Sequence, residues 1–447
     1  MILPWFLALL PAVAKAFGAG AAAFRAVATY FWCACLSIAR IFHVPDVDDL
    51  GFALLTGGIT APARTTIWNR MGHVKEKATT LFQRLTEPPA ELAKTSLMLS
   101  LDSHAVPCWT RKYAIPKGYH TCRNKRMKIE HLYYFYDLNG ECLLRLVATA
   151  GDVDLDQVMV PEVKRLMKDT GAARARVLVD AAASKDEDAL LELMRLPGVE
   201  VLARSVRRQH YMKQWRAIPP RKWTRYEEPN ETVGRPPDVL EVATTSTCIG
   251  ATKTPVRTIV AREYHGRDKK ECYHVLFTNV KHGRAVDLIQ DFRRRQNHEQ
   301  AYRVGVHDLN LDAITHGYVK DSDPGEPDFD PARLDLVGWL KALAYNAFQK
   351  FREALPEPFA RMQAGSLIRH FVLRPGRLYA TADEFIVALD PFGNQSALEA
   401  YVEQLNSQGI RIPWLGNRRL RVTFAPAEPR ISGSELASLL TSKHIRC

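Results

Sequence analysis

The spacing of apolar residues changes sharply after the proline pair Pro88–Pro89. Before this pair the apolar stretches have the length of helices. After it, short apolar runs alternate with helical patterns, which is typical of strands and helices packed against one sheet. The order strand, strand, strand, helix, strand, helix, strand predicts a mixed α/β fold. The strands are predicted at Ser96–Leu101, Leu132–Leu138, Cys142–Thr149, Ala175–Val179 and Val199–Ala203, and the helices at Pro161–Asp169 and Ser184–Leu196.

Local signals support several of these boundaries. Asn139–Gly140 lies between two apolar runs and predicts a β-hairpin. Pro161 suits the first turn of a helix, because its missing N–H has no partner there in any case. Ser184 is followed three residues later by Glu187, the spacing of a capping box at a helix start.

The sequence patterns before and after this α/β stretch differ from it, so the chain is predicted to have three domains. Residues 1–90 form a helical N-terminal domain, 91–310 an α/β region with an insertion at about 204–270, and 311–447 a C-terminal α+β region that is a candidate for dimer contacts, although its periodicity does not indicate them. The insertion is basic, aromatic and rich in proline. Further strands are predicted at Val256–Tyr264 and Cys272–Thr278, and long helices at Arg284–Val306 and Leu334–Ala354.

The N-terminal part raises two questions. Met1–Phe24 is apolar except for Lys15, but Pro4 and Pro11 interrupt it, so we expect packed helices rather than a membrane segment. Further along, Ile59–Lys77 fits either a small DNA-binding helix pair or a purely structural helix.

The charge of the chain is unevenly distributed. The 447 residues are 47% hydrophobic and 25% charged, which excludes a largely disordered chain, and the formal net charge is +12. Seven basic residues and no acidic one lie in 103–129, and nine basic against three acidic residues lie in 203–235. These two segments account for the whole excess. They predict a polyanionic partner, either nucleic acid or an anionic membrane.

Three carboxylates are the candidate catalytic residues. Asp102 and Asp180 each follow an apolar strand, where a sheet presents side chains to a crevice. Glu299 lies on the helix predicted after the insertion. Together they would form an oxygen-only site suited to two Mg²⁺ or Mn²⁺ ions, which can drive phosphodiester displacement. Against this, surface loops often begin with aspartate after a strand.

The helix that carries Glu299 has an unusual face. Leu288, Phe292, Arg295, Glu299 and Tyr302–Arg303 recur at helical spacing, so an aromatic residue, two arginines and a glutamate share one stripe. Buried charges of this kind require ions or phosphates as partners. The alternative is a solvated basic helix with internal Glu–Arg pairs.

At these residues the chain resembles the DDE transposases of bacterial insertion sequences, in the ribonuclease-H-like superfamily that includes retroviral integrases. The stretches that carry the resemblance are Leu101–Pro107, Val177–Ala182, Phe277–Asn279 and Phe292–Arg303. The resemblance implies a ribonuclease-H-like catalytic core within 91–310. It also implies that Asp102, Asp180 and Glu299 bind two metal ions.

The long interval before Glu299 resembles one subgroup, which has a β-rich insertion and a Tyr–Arg–Glu–Lys signature on the glutamate helix. Arg295 and Glu299 fit that signature. Phe292 stands at the tyrosine position, and Val306 stands at the lysine position with His307 beside it. The resemblance therefore preserves the metal ligands and departs at two DNA-contacting positions.

The resemblance gives the basic segments a role in binding DNA. Lysine and arginine neutralise phosphates, and exposed aromatic rings can stack on bases. In the insertion, Trp215 and Trp223 are either base-stacking residues or core tryptophans. His104, two residues after Asp102, is expected to be an ordinary hydrogen-bonded histidine, with support of the site or contact with phosphate as the alternatives. The residues predicted to contact DNA are Phe292, Arg295, Arg303, Lys112, Arg123, Lys125, Arg126, Arg207, Arg208, Trp215 and Trp223.

The resulting hypothesis is a transposase that cuts and joins double-stranded DNA at transposon ends and at the target. Its resemblance implies a homodimer on paired ends and a bacterial cytoplasmic location on the nucleoid, with no small-molecule substrate. The alternative is a transposase-derived DNA-binding protein without transposition activity. A third reading, a membrane-associated protein, is motivated by the apolar N-terminus.

Overall fold

The structure is a computed structural model that describes most of the chain in full. The described residues are 2–17, 21–39, 43–44, 47, 49–58, 60–67, 69, 96–109, 115–120, 123–228, 238–265, 270–313, 318–319, 328–329, 331–390, 393 and 395–425. The chain divides into two compact units, Ala8–Gln349 and a second unit made of Met1–Leu7 with Lys350–Cys447. The division into three domains predicted above stays a prediction.

The elements alternate between strands and helices through the larger unit. The described helices are α1 Leu3–Phe17, α2 Ala21–Cys35, α3 Leu50–Leu55, α4 Leu155–Thr170, α5 Glu187–Met194, α6 Gln209–Arg216, α7 Ala285–Arg293, α8 Arg295–Leu309, α9 Pro331–Ala354, α10 Ala364–Leu367 and α11 Ser396–Ser407. The strands are β1 Leu97–Pro107, β2 Lys117–His120, β3 Lys125–Asp137, β4 Cys142–Ala150, β5 Ala175–Val179, β6 Val199–Arg204, β7 Thr224–Glu228, β8 Asp238–Ile249, β9 Thr254–His265, β10 Lys270–Thr278, β11 Tyr318–Val319, β12 Asp328–Phe329, β13 Gly376–Ala380, β14 Glu384–Leu389, β15 Arg411–Ile412 and β16 Arg418–Phe424.

The central sheet has the strand order of a ribonuclease-H-like core. Apart from the short β2, which pairs with the start of β3, five strands lie in the order β4-β3-β1-β5-β6. β3 is antiparallel to β4 and β1, and β1, β5 and β6 are parallel. The third, second, first, fourth and fifth strands of the core are thus side by side. The mixed α/β fold with a ribonuclease-H-like core is confirmed.

Burial explains why these strands form. Leu97–Leu101 is buried without interruption, since β1 lies between β3 and β5 with packing on both faces. Helix α4 places Val158, Met159 and Val163 in the same core cluster. Each residue buried there removes apolar surface from water, at roughly 25 cal/mol per Å².

The insertion extends the core sheet. After β6 the chain forms α6 and then β7, β8, β9 and β10, an antiparallel series whose last strand returns to pair with β6. Leu276–Thr278 of β10 lies opposite Leu202–Arg204 of β6. Strands β9 and β10 were predicted, whereas β7, β8 and α6 lie in the stretch that the sequence left irregular.

Several predicted boundaries were wrong for identifiable reasons. Helix α4 begins six residues before Pro161, which lies inside it. Asp186 caps α5 by accepting hydrogen bonds from two backbone N–H groups, whereas the Ser184 hydroxyl donates to the Arg204 carbonyl. The helix predicted at Arg284–Val306 is divided at Arg294 into α7 and α8. The Asn139–Gly140 hairpin is confirmed, with Asp137 opposite Cys142.

The N-terminal segment contains two helices of 15 residues, α1 and α2. Among the residues that the structure describes, no helix is both long enough and apolar enough to cross a bilayer. Most of the proposed helix pair at Ile59–Lys77 lies outside the described residues.

The smaller unit has the α+β character predicted for the C-terminal region. Its sheet has the order β13-β14-β16-β15, with β14 and β16 parallel. Helix α11 buries Leu398, Val402 and Leu405, spaced to form one apolar face.

Candidate active site

The register between two central strands brings Asp102 and Asp180 together. β1 and β5 pair in parallel up to Leu101 opposite Val179. Asp102 directly follows Leu101, and Asp180 directly follows Val179. Neighbouring strands lie about 4.8 Å apart, and residues at matching positions point to the same face, so the two carboxylates emerge side by side. Contrary to the prediction, β1 does not end at Asp102 but continues to Pro107 along β3.

Arg295 links the third carboxylate to this pair. Its Nη2 lies 2.9 Å from Asp102 Oδ2, and its Nη1 lies 2.6 Å from Glu299 Oε1. The arginine side chain is 11% exposed, Asp102 21% and Glu299 55%. The first turns of α8 are therefore tied to the central strand of the sheet, and Glu299 is held at its more exposed rim.

Burial and the neighbouring charges set the electrostatics of the site. Burial raises the pKa of Asp102, the Arg295 guanidinium lowers it, and the charges of Asp180 and Glu299 raise it again, with a net rise. All three carboxylates thus lie within electrostatic reach of one another. Burial is the largest of these effects, and the net result disfavours the charged form of Asp102.

The chemistry of these side chains fits a hard divalent cation. They supply carboxylate oxygens alone, the ligands that Mg²⁺ and Mn²⁺ prefer. In the described part of the chain, no group of three or more His, Cys, Asp or Glu side chains is already arranged to coordinate a metal. Instead the guanidinium of Arg295 neutralises two of the candidate ligands. Its Nε–H is buried without a hydrogen-bond partner among the described residues.

Residues that the sequence did not single out line the same site. Tyr134 lies opposite Asp102 on β3, and its hydroxyl is buried without a hydrogen-bond partner in the described structure. Burial and the nearby Tyr302, Asp312 and Asp102 raise its pKa well above the ordinary value, so the hydroxyl stays protonated. It can donate to a group that enters the site.

Asp312 is a fourth carboxylate near the site. Its Oδ2 lies 3.4 Å from His104 Nε2, and His104 packs edge to face against Tyr302. Burial acts to raise the pKa of Asp312, but the hydrogen bond and charge of His104, with Lys341 nearby, lower it overall. The expectation that His104 is a hydrogen-bonded histidine fits this contact. Asp312 was missed because it stands in a short loop after α8 with no strand or helix spacing to mark it.

His298 anchors the glutamate helix to the sheet. The ring is 1% exposed, its Nδ1 lies 2.7 Å from the Ser100 hydroxyl on β1, and it stacks on Tyr136 with ring planes 5° apart. Burial, with a contribution from the charge of Arg295, lowers the pKa of His298 to about 3. The ring is therefore neutral in the folded protein.

This burial makes stability depend on pH. The unfolded chain protonates His298 below pH about 6.5, and the folded protein does so only near pH 3. The contribution of neutral His298 to stability is therefore fully present above about pH 6.5 and is lost progressively as the pH falls. Between pH 7 and pH 5 we expect the wild-type free energy of unfolding to fall about 2 kcal/mol more than that of His298→Gln. Urea unfolding at both pH values measures this. An equal fall in both proteins contradicts it, and the exposed His282→Gln is the matched control.

The basic residues predicted to bind DNA fall into two groups. Arg123, Lys125 and Arg126 are exposed where β2 and β3 extend beyond β1, and Arg126 also donates to the Lys117 carbonyl. Arg207 donates to the Tyr273 carbonyl, and Arg208 to the Lys185 carbonyl, so both have structural partners. Lys112 lies outside the described residues.

The tryptophans of the insertion lie in or against the hydrophobic core. Trp215 is 1% exposed and stacks on Tyr211, with ring centroids 5.7 Å apart. Trp223 is partly buried beneath the guanidinium of Arg262, and its indole N–H donates to the Ile218 carbonyl. The base-stacking role predicted for Trp215 is therefore not supported, because its ring has no accessible face. Trp215 is instead a core tryptophan, the alternative given in the sequence analysis.

Two residues of the glutamate helix face differ in exposure. Phe292 on α7 is partly buried, whereas Arg303 on α8 is exposed. The stripe predicted from helical spacing is interrupted at Arg294, whose guanidinium donates to the Leu138 carbonyl and the Asn139 side chain. The contacts of Phe292 and Arg303 with DNA stay predictions.

Comparison with solved structures finds distant structural similarity. The chain is similar to a piggyBac transposase, solved as a synaptic complex with hairpin DNA, over 95% of this chain and 81% of that chain. The sequence identity is 11% and the TM-score 0.37. No family model and no curated protein matches the chain. The fold class rests on the strand order and pairing described above.

Proposed function

We propose that the protein is a DDE transposase that cuts and joins DNA at the ends of an insertion sequence. The observation that carries this proposal is the register of β1 and β5, which aligns Asp102 with Asp180 in a ribonuclease-H-like sheet. Arg295 joins Glu299 to the same point. A constellation of three carboxylates on strand, strand and helix suits phosphoryl transfer without a protein nucleophile.

Asp102, Asp180 and Glu299 are the residues that would hold two Mg²⁺ or Mn²⁺ ions. Such ions supply an activated oxygen nucleophile and neutralise the charge that develops on the leaving oxygen. The proposal is supported by the oxygen-only donors and by the electrostatic interaction of Asp102 with both Asp180 and Glu299.

The chain's own residues position the DNA in this scheme. Arg295 carries donors that suit a phosphate as well as a carboxylate, since both accept paired hydrogen bonds from a guanidinium. The protonated Tyr134 hydroxyl donates to an oxygen that enters beside Asp102. The exposed cations of the β2–β3 hairpin neutralise backbone phosphates on either side.

The reaction has two stages. Water first hydrolyses the phosphodiester at the element's end and frees a 3′-hydroxyl. That hydroxyl then attacks a phosphodiester of target DNA, and the displaced 3′-oxygen leaves. A homodimer holding two ends follows from the resemblance. The double-stranded substrate is the DNA that flanks the gene.

Glu299→Gln tests this proposal with the smallest change. It removes one charge and keeps the shape, and we expect Mg²⁺-dependent cleavage of a plasmid carrying the flanking DNA to fall about a hundredfold. Glu192→Gln is the matched control, because Glu192 is also an exposed helix glutamate in an ion pair, 3.5 Å from Lys164. Undiminished cleavage by Glu299→Gln would sink the assignment.

The second candidate function is a transposase-derived DNA-binding protein without cleavage. It is favoured by Phe292 and Val306, which replace the tyrosine and lysine of the subgroup's signature. In that case the unmutated protein binds the flanking DNA and leaves it intact in Mg²⁺ and in Mn²⁺.

A further inference from the structure

An exposed tryptophan stands at the far end of the strand that carries Asp102. Trp109 follows β1 by two residues and is 70% exposed, an uncommon exposure for the largest apolar side chain. The guanidinium of Arg123 lies 4.9 Å from its ring centroid. A cation at this distance is attracted by the ring and helps to hold it in place.

The surface around Trp109 is strongly positive. The hairpin formed by β2 and the first residues of β3 extends beyond the end of β1, which pairs with β3 only as far as Pro107 opposite Ile129. No acidic residue occurs in 103–129. Four cations of this hairpin are exposed: Lys117, Arg123, Lys125 and Arg126. We call Trp109 and these four residues the hairpin surface.

The combination fits a single-stranded nucleic acid segment. A planar ring offers a stacking surface to any base, and cations beside it follow the phosphate backbone. An anionic membrane would also attract cations and tryptophan. Nucleic acid is favoured because Trp109 lies two residues after β1, the strand that carries Asp102. The proposed reaction on DNA takes place at Asp102.

The distance along β1 gives the position of the base. Trp109 lies seven residues after Asp102. At about 3.3 Å per residue the separation is roughly 23 Å, which matches the rise of about seven nucleotides at 3.4 Å each.

We propose that Trp109 stacks on an unpaired base of bound DNA, about seven nucleotides from the cleaved bond, while the hairpin surface holds the backbone of that strand. This inference rests on the proposed function for the position of the base. The stacking itself requires neither metal nor cleavage.

The first experiment compares Trp109→Ala and Trp109→Phe in binding, in EDTA. Fluorescence anisotropy is measured with a single-stranded oligonucleotide and with a fully paired duplex of the same sequence. We expect Trp109→Ala to lose about 5- to 150-fold in affinity for the single strand and less than twofold for the duplex. Trp109→Phe should recover most of the loss. Tyr379→Ala, an exposed aromatic residue of the smaller unit, is the matched control.

Three results would overturn the inference. These are unchanged single-strand affinity of Trp109→Ala, an equal loss on both ligands, and loss of binding to phosphatidylserine vesicles with single-strand affinity intact. The last would instead assign the surface to a membrane. Because EDTA prevents metal-dependent cleavage, failure of this experiment is distinct from undiminished cleavage by Glu299→Gln.

Salt dependence and a base analogue provide independent readouts. Each of Lys125→Gln and Arg126→Gln should lower the slope of log affinity against log salt by about 0.7 on a single strand. 2-Aminopurine placed about seven nucleotides from the cut, in an unpaired segment, should be quenched by wild type and not by Trp109→Ala. Equal quenching by both proteins contradicts stacking on Trp109.

Discussion

Asp102→Asn is expected to reduce Mg²⁺-dependent DNA cleavage by about a thousandfold while leaving the fold intact. Asp102 is more enclosed than Glu299, with 21% of its side chain exposed against 55%, and it stands on the central strand. Losing about 4 kcal/mol of transition-state stabilisation corresponds to this factor. The measurement is the single-turnover cleavage rate on the flanking DNA.

The stability of this variant separates catalysis from folding. Burial raises the pKa of Asp102, so its charge is held at a cost in the folded protein. Asparagine keeps the shape without the charge, and we expect the free energy of unfolding to change by less than about 1 kcal/mol. Asp152→Asn makes the same substitution in an exposed turn and should change neither quantity. A fully active Asp102→Asn, or one inactive only because it unfolds, contradicts a catalytic role for Asp102.

Trp215→Ala is expected to produce the largest loss of stability, about 3 to 5 kcal/mol in the free energy of unfolding. Its ring is buried in the core, stacks on Tyr211, and directs its N–H toward the Thr247 hydroxyl at 3.5 Å. Truncation leaves a cavity as well as removing apolar contacts. Urea unfolding measures the loss, and Trp215→Phe should retain a large part of the stability.

Trp109 supplies the opposite case for comparison. Because it is exposed, Trp109→Ala should change the free energy of unfolding by less than about 0.5 kcal/mol. One tryptophan should therefore affect stability and the other single-strand binding. A stable Trp215→Ala with weakened DNA binding would restore the base-stacking interpretation of Trp215 and contradict its assignment to the core.

The elements that the sequence predicted best are those whose patterns are set by local burial. β5 was placed at Ala175–Val179 with both ends correct, because a strand buried on two faces is a continuous apolar run between polar turns. The Asn139–Gly140 turn was likewise a local signal. Strands β7 and β8 were missed, since they lie in a stretch whose prolines and cations dominate its composition.

The sequence predicted which residues form the candidate active site, but it did not predict the contacts between their side chains. Strand ends pointed to Asp102 and Asp180, and helical spacing placed Arg295 and Glu299 on one face. The contact of Arg295 with both Asp102 and Glu299 depends on how α8 crosses the sheet, which no local spacing determines. Asp312 and Tyr134 reach the site only through tertiary packing. The exposure of Trp109 and the burial of Trp215 follow from the same long-range packing.

Backbone cleavage by bound iron tests most directly whether the three carboxylates share a metal. Fe²⁺ takes the place of Mg²⁺, and ascorbate with hydrogen peroxide then generates radicals that cut the chain near the ion. We expect fragments ending near Asp102, Asp180 and Glu299, suppressed together by excess Mg²⁺ and lost in Asp102→Asn. Fragments near only one of these residues, or cutting that Mg²⁺ does not suppress, would contradict a shared metal site.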